Sequence, residues 1–504
     1  MAKAYSEFMD EITSDELYQG LLAYGFFSEK LPPVFDATGF YDYSLSLPQP
    51  FSKNPHGYIY YEAMRDINIP RPLGIPHPMV YQRLCRLLAD NWDKILNHFH
   101  NQTDSNKFRV SRTHIQKMKE SNSLFKMNYP NWKVDTSPVP DIQIGMKYVV
   151  RADISNCFPS MYTHALPWAI IGKDKAKTDK HRNRWYNELD HCCMELKSGE
   201  THGFLIGPHA SNLLAEIILT VVDKRLTSSD KKWKFIRHID DYECYVATYE
   251  DGQDFLTALG QELRYFDLSL NHKKTKIEEL PVAATTHWVR QINAVEFLAP
   301  YGGVNYKTAQ AYIDAAISLM EANGNNAAIL NYAIKVLARQ SLSKNAKELC
   351  LKTFLHLAFI YPYLIPLLDE YVFAPYGAGK DVIQLFTQTI YEDAILRNNF
   401  EAVSYAIYFA LKYEFEIDKI TSDVVIEKEN CMFSLMSLLY FHKNGNSTEE
   451  TALENYALTL LQTDSDFDQN WLFVYEAMPY NKLQDEWKPM KRQGVSFIKK
   501  EFRR

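Results

Sequence analysis

Residues 148–158 read YVVRADISNCF, and residues 235–246 read FIRHIDDYECYV. Each segment opens with residues that favour β-strands and then places carboxylates where a buried strand would continue with apolar side chains. The acid of the first segment is Asp153, and the second carries the adjacent pair Asp240 and Asp241. The second segment predicts a β-hairpin with both acids at its tip. If Asp153 ends a neighbouring strand, the three carboxylates form one acidic site.

Three carboxylates at the ends of neighbouring strands are a ligand set suited to divalent metal ions. Magnesium prefers hard oxygen ligands from a few carboxylates, with substrate phosphates and water completing its octahedron. Two such ions about 3.5–4 Å apart can activate an attacking hydroxyl and stabilise a leaving pyrophosphate. We therefore expect two Mg²⁺ ions, with Mn²⁺ as an alternative, at the three aspartates. An Asp-Asp pair alone is usually a turn or an exposed face, so the surrounding motifs decide the interpretation.

Four further motifs accompany the acids in the chain order expected of a polymerase. RPLGIP begins at Arg71, Phe158 follows the first acid by five residues, and Gly207 precedes an amphipathic helix. The stretch LNHKKTK, which contains Lys274, follows the predicted hairpin. Together with the acids, these motifs resemble the fingers and palm motifs of reverse transcriptases, over roughly the first three hundred residues.

The resemblance implies the catalytic and metal-binding roles. Asp153, Asp240 and Asp241 would be the catalytic carboxylates that hold the metal ions. Ile154, the residue after the first acid, belongs to the same metal-binding set. The implied activity is a nucleotidyltransferase, a DNA polymerase that joins deoxynucleoside triphosphates.

The resemblance also assigns four residues to substrate binding. Arg71 would contact the incoming triphosphate, because a guanidinium matches phosphate oxygens with a fixed fork and keeps its charge. Phe158 would lie under the sugar and exclude a 2′-hydroxyl. Gly207 would permit close approach to the nucleotide, and Lys274 would neutralise the departing pyrophosphate. Without the motif context, Arg71 and Lys274 would be interpreted as ordinary exposed cations.

Two longer stretches point to a subgroup. CFPSMYTHALPW at 157–168 and IGPHASNLLAE at 206–216 are similar to the bacterial abortive-infection (Abi) reverse transcriptases of the AbiK type, most closely that of P2-like prophages. This similarity implies anti-phage defence by protein-primed, largely untemplated synthesis. It also implies single-stranded DNA attached through a tyrosine, and a homo-oligomer, a trimer or a hexamer. The similarity does not indicate the priming tyrosine, and we take Tyr41 and Tyr43 of the N-terminal region as candidates.

Two residues depart from ordinary reverse transcriptases. Those enzymes carry Gln before the motif-two glycine and Tyr at the start of the Asp-Asp hairpin, where this chain has Ile206 and His238. Both positions concern template or primer handling and leave the acids intact, which favours untemplated synthesis. Two alternatives stay open: a template-copying enzyme of retron or intron type, and an interaction scaffold on an inactive palm. The presence of all three acids argues against the scaffold.

Composition sets the broader limits. A chain of 504 residues with 46% hydrophobic residues is expected to fold into more than one domain. The formal net charge of −7 argues against a protein that coats duplex nucleic acid. The seven cysteines include no C-x-x-C pair, which indicates reduced thiols in the cytoplasm. No stretch has the length and apolarity of a transmembrane helix, so we expect a cytoplasmic protein with no membrane contact.

From about Gln291 the chemical motifs give way to helical periodicity. We therefore predict an α+β fold in which a reverse-transcriptase-like fingers and palm domain, residues 1–290, is followed by an all-α domain, residues 291–504. Consecutive amphipathic helices favour a HEAT-like array, with an irregular bundle as the alternative. The predicted helices are Ala309–Ala322, Ala327–Ala338, Ala346–Phe359, Val382–Arg397, Phe400–Leu411, Val424–Leu439 and Glu450–Gln462.

Overall fold

The structure, a computed structural model, is a mixed α+β fold in which the strands precede a long helical region. All strands in the described part of the chain lie before residue 280, and from residue 287 onward the described elements are helical. The described residues are 6–48, 50–51, 53–66, 69–103, 110–117, 124–126, 139–229, 231, 233–282, 287–295 and 303–504.

The strands form one four-stranded sheet and two separate hairpins. The four-stranded sheet is antiparallel throughout, in the order β6-β7-β5-β8. The pairs β1–β2 and β3–β4 form the two-stranded hairpins. The strands are β1 Tyr58–Asp66, β2 Ile69–Pro76, β3 His114–Ile115, β4 Phe125–Lys126, β5 Tyr148–Asp153, β6 Lys234–His238, β7 Asp241–Val246 and β8 Lys276–Glu279.

Helices surround the four-stranded sheet and make up the rest of the chain. Short 3-10 segments cover Ser6–Glu11, Pro362–Leu367 and Lys500–Phe502, and one π-helical turn covers Asp369–Phe373. The α-helices are α1 Ser14–Leu22, α2 Thr38–Leu45, α3 Pro78–Asp90, α4 Trp92–Thr103, α5 Val139–Gln143, α6 Cys157–Ser160, α7 Ala165–Ile171, α8 Lys173–Thr178, α9 Trp185–Glu195, α10 His209–Thr227, α11 Tyr249–Tyr265, α12 His287–Asn293, α13 Tyr306–Ala322, α14 Ala327–Ala338, α15 Lys344–Ile360, α16 Ala374–Tyr376, α17 Lys380–Leu396, α18 Phe400–Tyr413, α19 Ser422–Glu427, α20 Cys431–Lys443, α21 Ser447–Leu460, α22 Asp464–Ala477 and α23 Trp487–Arg492.

The four-stranded sheet buries both of its faces. Val150 belongs to the main apolar core, and Val149, its neighbour in β5, packs in a smaller cluster on the opposite face. Successive side chains of a strand point to opposite faces, which explains this division. Helix α11 covers the main-core face at Gly252, where an added Cβ would lie 3.1 Å from Val150 Cγ2. The absence of a side chain there lets the helix backbone approach the sheet.

The helical region follows the predicted periodicity closely but not everywhere. Several helices begin where an Asn, Ser or Thr side chain accepts a hydrogen bond from a backbone N–H in the first turn. The predicted helix Val424–Leu439 is wrong as a single element, because the chain breaks between α19 and α20. Glu429 takes a left-handed conformation with φ 48°, and Asn430 then caps α20. The segment 141–147, directly before β5, contains the end of α5 and a turn.

The strands and the helical region share one continuous apolar core. Strand β1 packs against α18 and α22, and its Met64 N–H donates to the Glu401 carboxylate at 2.7 Å. Phe35 and Ile498 form an isolated β-bridge. The boundary between residues 290 and 291, and the HEAT-like arrangement, stay predictions. No helix in the described ranges has the length and continuous apolar surface that crossing a lipid bilayer requires.

Candidate active site

The predicted acids meet at one edge of the four-stranded sheet. Strands β5 and β7 pair so that Asp153 lies opposite Asp241. Asp240 occupies the turn between β6 and β7, and its carbonyl accepts a hydrogen bond from the Ile154 N–H at 3.1 Å. The Asn271 N–H donates to the Asp153 carbonyl at 2.8 Å, which joins the segment before β8 to the same edge. The hairpin with acids at its tip is therefore as expected from the sequence.

The turn that carries the acids has a strained backbone. Ile239 has φ 57°, in the left-handed region that a β-branched residue rarely adopts. Such a conformation costs on the order of 1–3 kcal/mol and persists only where the surroundings impose it. Here Arg237 Nη1 donates a hydrogen bond to the Ile239 carbonyl at 2.8 Å. The Arg237 side chain of β6 therefore stabilises the turn between β6 and β7.

Arg237 is itself the centre of a buried ion network that sequence reasoning missed. Its guanidinium, fully buried, is 2.7 Å from a carboxylate oxygen of Glu216 and 2.7 Å from one of Asp223, both on α10. Ser111 donates to Glu216 at 3.0 Å. The sequence signal was present, because acids that recur within the apolar run LLAEIILTVVD need an internal partner. No motif, however, indicated which cation supplies it.

Five of the predicted residues line a single open pocket of about 210 Å³, which we call the cleft. Lys274 Nζ lies 2.7 Å from Asp153 Oδ2, and more than half of the lysine side chain is exposed. The pocket therefore combines three carboxylates with a surrounding ring of cations. The lining residues are Arg65, Arg71, Arg112, Thr113, Asp153, His238, Ile239, Asp240, Asp241 and Lys274.

The carboxylates of the cleft repel one another. Burial and the neighbouring Asp240 and Asp153 raise the pKa of Asp241 to about 7. Burial and Asp153 also raise the pKa of Asp240, against the opposing effects of Lys274 and Arg71. The hydrogen bond to Asp153 raises the pKa of Lys274. Burial is the largest cause of both carboxyl shifts, and the repulsion between the aspartates adds to it.

This arrangement fits divalent metal. Carboxylate oxygens are the donors that Mg²⁺ and Mn²⁺ prefer, and an added cation would offset the burial and the repulsion that raise the pKa values of Asp240 and Asp241. The pairing of Asp153 with Asp241 across β5 and β7, with Asp240 in the adjoining turn, places three carboxylates together as oxygen ligands. The Ile154 side chain is buried, so only its carbonyl could join this set.

Two predicted substrate residues lie outside the cleft lining. Phe158 is half-buried in α6, and its carbonyl accepts a hydrogen bond from Phe204 at 2.9 Å. Gly207 has φ 128° and follows Ile206, whose carbonyl accepts from the Gly74 N–H of β2 at 2.9 Å. Gly207 is therefore a close-approach position, but here it approaches the β1–β2 hairpin. The candidates Tyr41 and Tyr43 lie in α2, where Tyr43 is buried.

Three cleft residues were missed from sequence. Arg65 lies in β1, and Arg71 lies in β2, which pairs with it. Burial and the positive charge of Arg65 lower the pKa of Arg71, whereas the negative charge of Asp240 opposes this shift. Arg112 and Thr113 follow a polar, motif-free stretch, and the Arg112 N–H donates to the Arg237 carbonyl at 2.7 Å.

Burial lowers the pKa of His238 to about 4, so this cleft residue is neutral at physiological pH.

No family model and no curated protein matches this chain. Among solved structures, it is similar to apo telomerase from Candida tropicalis truncated from the C-terminal domain, with 12% identity and a TM-score of 0.30, covering 49% of this chain and 55% of that one. Apo telomerase from Candida tropicalis gives 9% identity and a TM-score of 0.31, covering 87% and 71%. Telomerase from Candida albicans with the TWJ fragment of telomeric RNA gives 9% and 0.29, covering 79% and 66%. The chain thus spans about half of the first of these structures, and scores this low carry no argument about function.

Proposed function

We propose that this protein is a DNA polymerase of reverse-transcriptase type that adds deoxynucleotides with two Mg²⁺ ions. One observation carries the proposal: Asp153, Asp240 and Asp241 meet at one sheet edge, inside a cleft whose other walls carry Arg65, Arg71 and Lys274. A carboxylate centre within a ring of cations matches a metal-bound triphosphate, because the acids hold the metal and the cations bind the phosphate oxygens.

The residues of the cleft divide the work between them. When bound, the metal ions would supply activation of the attacking hydroxyl and charge stabilisation at the leaving pyrophosphate. Asp153, Asp240 and Asp241 would hold those ions, together with the Ile154 carbonyl. Arg71 and its neighbours would orient the triphosphate through charge-assisted hydrogen bonds. Lys274, paired with Asp153 before substrate binds, would turn to the departing pyrophosphate and neutralise it.

We further propose that synthesis is untemplated and primed on protein, in anti-phage abortive infection. Support comes from the similarity of residues 157–168 and 206–216 to the Abi enzymes, and from Ile206 in place of a template-seating Gln. An apolar side chain offers none of the hydrogen bonds of an amide. The product would be single-stranded DNA attached through a tyrosine, and the working form a cytoplasmic homo-oligomer. With Tyr43 buried and Tyr41 packed against the Tyr18 ring at 5.6 Å, another tyrosine or a rearranged α2 would have to prime.

The test is an incorporation assay on purified full-length protein with Mg²⁺ and each labelled dNTP. One arm contains no oligonucleotide and the others contain templates of different sequence. The product is digested with protease or nuclease before denaturing electrophoresis and is then sequenced. Asp240→Asn is the negative control, and Asp314→Asn, at an exposed position on α13, is the matched substitution outside the cleft.

The expected result is template-independent DNA whose mobility changes on protease digestion and whose composition ignores the added strand. Product complementary to the template would instead support the copying enzyme of retron or intron type. No incorporation with any dNTP, template or metal would contradict the polymerase and favour the scaffold alternative. Mass measurement of the native protein by light scattering tests the trimer or hexamer separately.

A further inference from the structure

Away from the cleft, two histidines and an aspartate meet at the base of the β1–β2 hairpin. His56 lies two residues before β1, His77 directly follows β2, and Asp468 lies on α22. His56 Nδ1 is 3.0 Å from Asp468 Oδ1, and His77 Nε2 is 3.9 Å from the same oxygen. Within the described ranges, this is the group in which three potential ligand atoms lie within 4.8 Å of one another.

His77 is the member of this cluster whose burial demands an explanation. Its side chain is 1% exposed, and neither ring nitrogen has a hydrogen-bond partner among the residues that the structure describes. A buried polar group without a partner costs about 1–3 kcal/mol. Burial also lowers the pKa of His77 well below its ordinary value, which keeps the imidazole neutral. A neutral imidazole is the form that binds metal.

Asp468 is oriented toward the two rings by the backbone. Its Oδ2 accepts a hydrogen bond from the Gly57 N–H at 2.7 Å, which leaves Oδ1 facing the imidazoles. Hydrogen bonds of this kind fix the orientation of metal-binding carboxylates. A Cβ at position 57 would lie 3.2 Å from Asp468 Cβ, so glycine permits this close approach.

We propose that His56, His77 and Asp468 bind one transition-metal ion of the Zn²⁺ class, with water completing the coordination. Two imidazole nitrogens and a carboxylate oxygen are a known type of zinc ligand set, with bonds of about 2.0–2.2 Å. Tetrahedral ligands at that range lie roughly 3.3 Å from one another, and the separations of 3.0 and 3.9 Å bracket this value. The nitrogen donors disfavour Mg²⁺, which prefers oxygen.

Binding requires one ring to turn. The His56 and His77 rings are stacked, with centroids 3.8 Å apart and planes at 4°, and an ion cannot lie in two parallel ring planes at once. His77 is buried with the Trp487 ring edge-on at 5.1 Å, whereas the His56 side chain is 29% exposed. We therefore assign the rotation to His56, so that metal binding breaks the stack.

The site would join the hairpin to the helical region. His56 and His77 flank the two strands at their paired ends, where Tyr58 lies opposite Pro76, and Asp468 belongs to the helical region. A shared ion would fix the base of the hairpin that carries Arg71. The assignment does not depend on the proposed polymerase activity, because none of its three ligands lines the cleft.

The test is metal titration of full-length protein that has been stripped with a chelator. The buffer contains millimolar Mg²⁺ to occupy oxygen sites, and Co²⁺ is added as a spectroscopic probe before displacement by Zn²⁺. We expect visible absorption that saturates at one equivalent of Co²⁺, disappears on Zn²⁺ addition, and accompanies a rise in Tm. Asp240→Asn, which alters the cleft, should leave this signal unchanged.

Three variants decide the assignment. We expect Co²⁺ binding to weaken at least about tenfold in Asp468→Asn and in His77→Gln. His56→Gln should have the same effect, and because this position is more exposed, the variant is informative even if the buried variants fail to fold. His442→Gln is the matched control, since it removes a histidine whose Nδ1 lies 3.0 Å from Glu450 on an exposed surface. The proposal is overturned if the parent shows no absorption at one equivalent, or if His56→Gln and Asp468→Asn bind Co²⁺ as the parent does.

Discussion

Two β-hairpins carry residues of the same cleft, and they are held in opposite ways. The β6–β7 hairpin lies within the four-stranded sheet and is fixed from below by the buried Arg237 network. The β1–β2 hairpin forms a sheet of its own and is attached to the helical region, through Glu401 near the end of β1 and Asp468 at its base. The Arg237 network therefore fixes the position of Asp240 and Asp241 from within the sheet. The position of Arg65 and Arg71 depends instead on contacts with a distant part of the chain.

The largest expected effect is at the tip of the fixed hairpin. Asp240→Asn should reduce nucleotide incorporation at least about a thousandfold, equivalent to ~4 kcal/mol, because it removes an anionic oxygen ligand. The same change should leave Tm unchanged or raise it, since it relieves repulsion with Asp241. Incorporation kinetics and thermal unfolding measure the two outcomes. Incorporation at the parent rate would refute the assignment of Asp240.

The second prediction concerns the support of that hairpin. Arg237→Met should destabilise the protein by about 3–5 kcal/mol, because Glu216 and Asp223 would remain buried without their cation. The matched control is Arg151→Met, in β5 of the same sheet. Arg151 also pairs with two glutamates, at 3.0 Å in the case of Glu243, but its side chain is 32% exposed.

The control should therefore cost only about 1 kcal/mol or less, as half-exposed ion pairs do. Urea unfolding of both variants gives the comparison. Equal losses in the two variants would show that burial does not distinguish the two networks.

The third prediction tests the other hairpin. Arg71→Lys keeps the charge but loses the forked geometry, and Arg71→Ala loses both. Loss of a charge-assisted hydrogen bond, worth about 1.5–3 kcal/mol, should lower kcat/KM for dNTPs by about 10–150-fold in the alanine variant. Most of the change should appear in KM, with lysine intermediate. Arg397→Ala, on the surface of α17's C-terminal end, should have no kinetic effect.

The fourth prediction concerns the attachment of the β1–β2 hairpin. Burial raises the pKa of Glu401 to about 8, although the Met64 N–H opposes the shift. The folded protein therefore keeps a proton that the unfolded chain loses above about pH 4.5. The stability from this group is present at low pH and is lost as the pH rises through about 8.

The slope should be at most about 1.4 kcal/mol per pH unit. Glu401→Gln should flatten the dependence of unfolding free energy on pH between those limits, while the exposed Glu427→Gln should not. The same pH dependence in the parent and in Glu401→Gln would contradict the raised pKa of Glu401.

The sequence predicted the acidic hairpin because its signals are local. The β-forming runs before Asp153 and Asp240 place the acids at strand ends, and the pairing of two such strands brings them together. The helices of the C-terminal region were predicted for the same reason, since apolar periodicity and capping residues lie within each helix. The break at Glu429 was missed because the apolar periodicity on either side of the polar run EKEN, residues 427–430, can be continued as one helix.

The remaining residues of the site could not be found in this way, because their roles depend on long-range packing. Arg112 enters the cleft through a backbone contact with Arg237, more than a hundred residues away. His56 and Asp468 meet only because β1 packs against α22. The sequence around His77 does not indicate a metal ligand. Only the structure shows that its ring nitrogens are buried without a hydrogen-bond partner among the described residues.

The bridge between Phe35 and Ile498 has a consequence for the order of folding during synthesis. Asp36 N donates to the Phe497 carbonyl, and Lys499 N donates to the Val34 carbonyl, each at 2.9 Å. The Phe497 ring also lies 5.3 Å from that of Phe40. The segment around residue 35 cannot complete this packing until residue 499 has been made. Contacts this distant in sequence slow folding, so the packing of Phe35 and Phe40 would be a late event in the folding of a nascent chain.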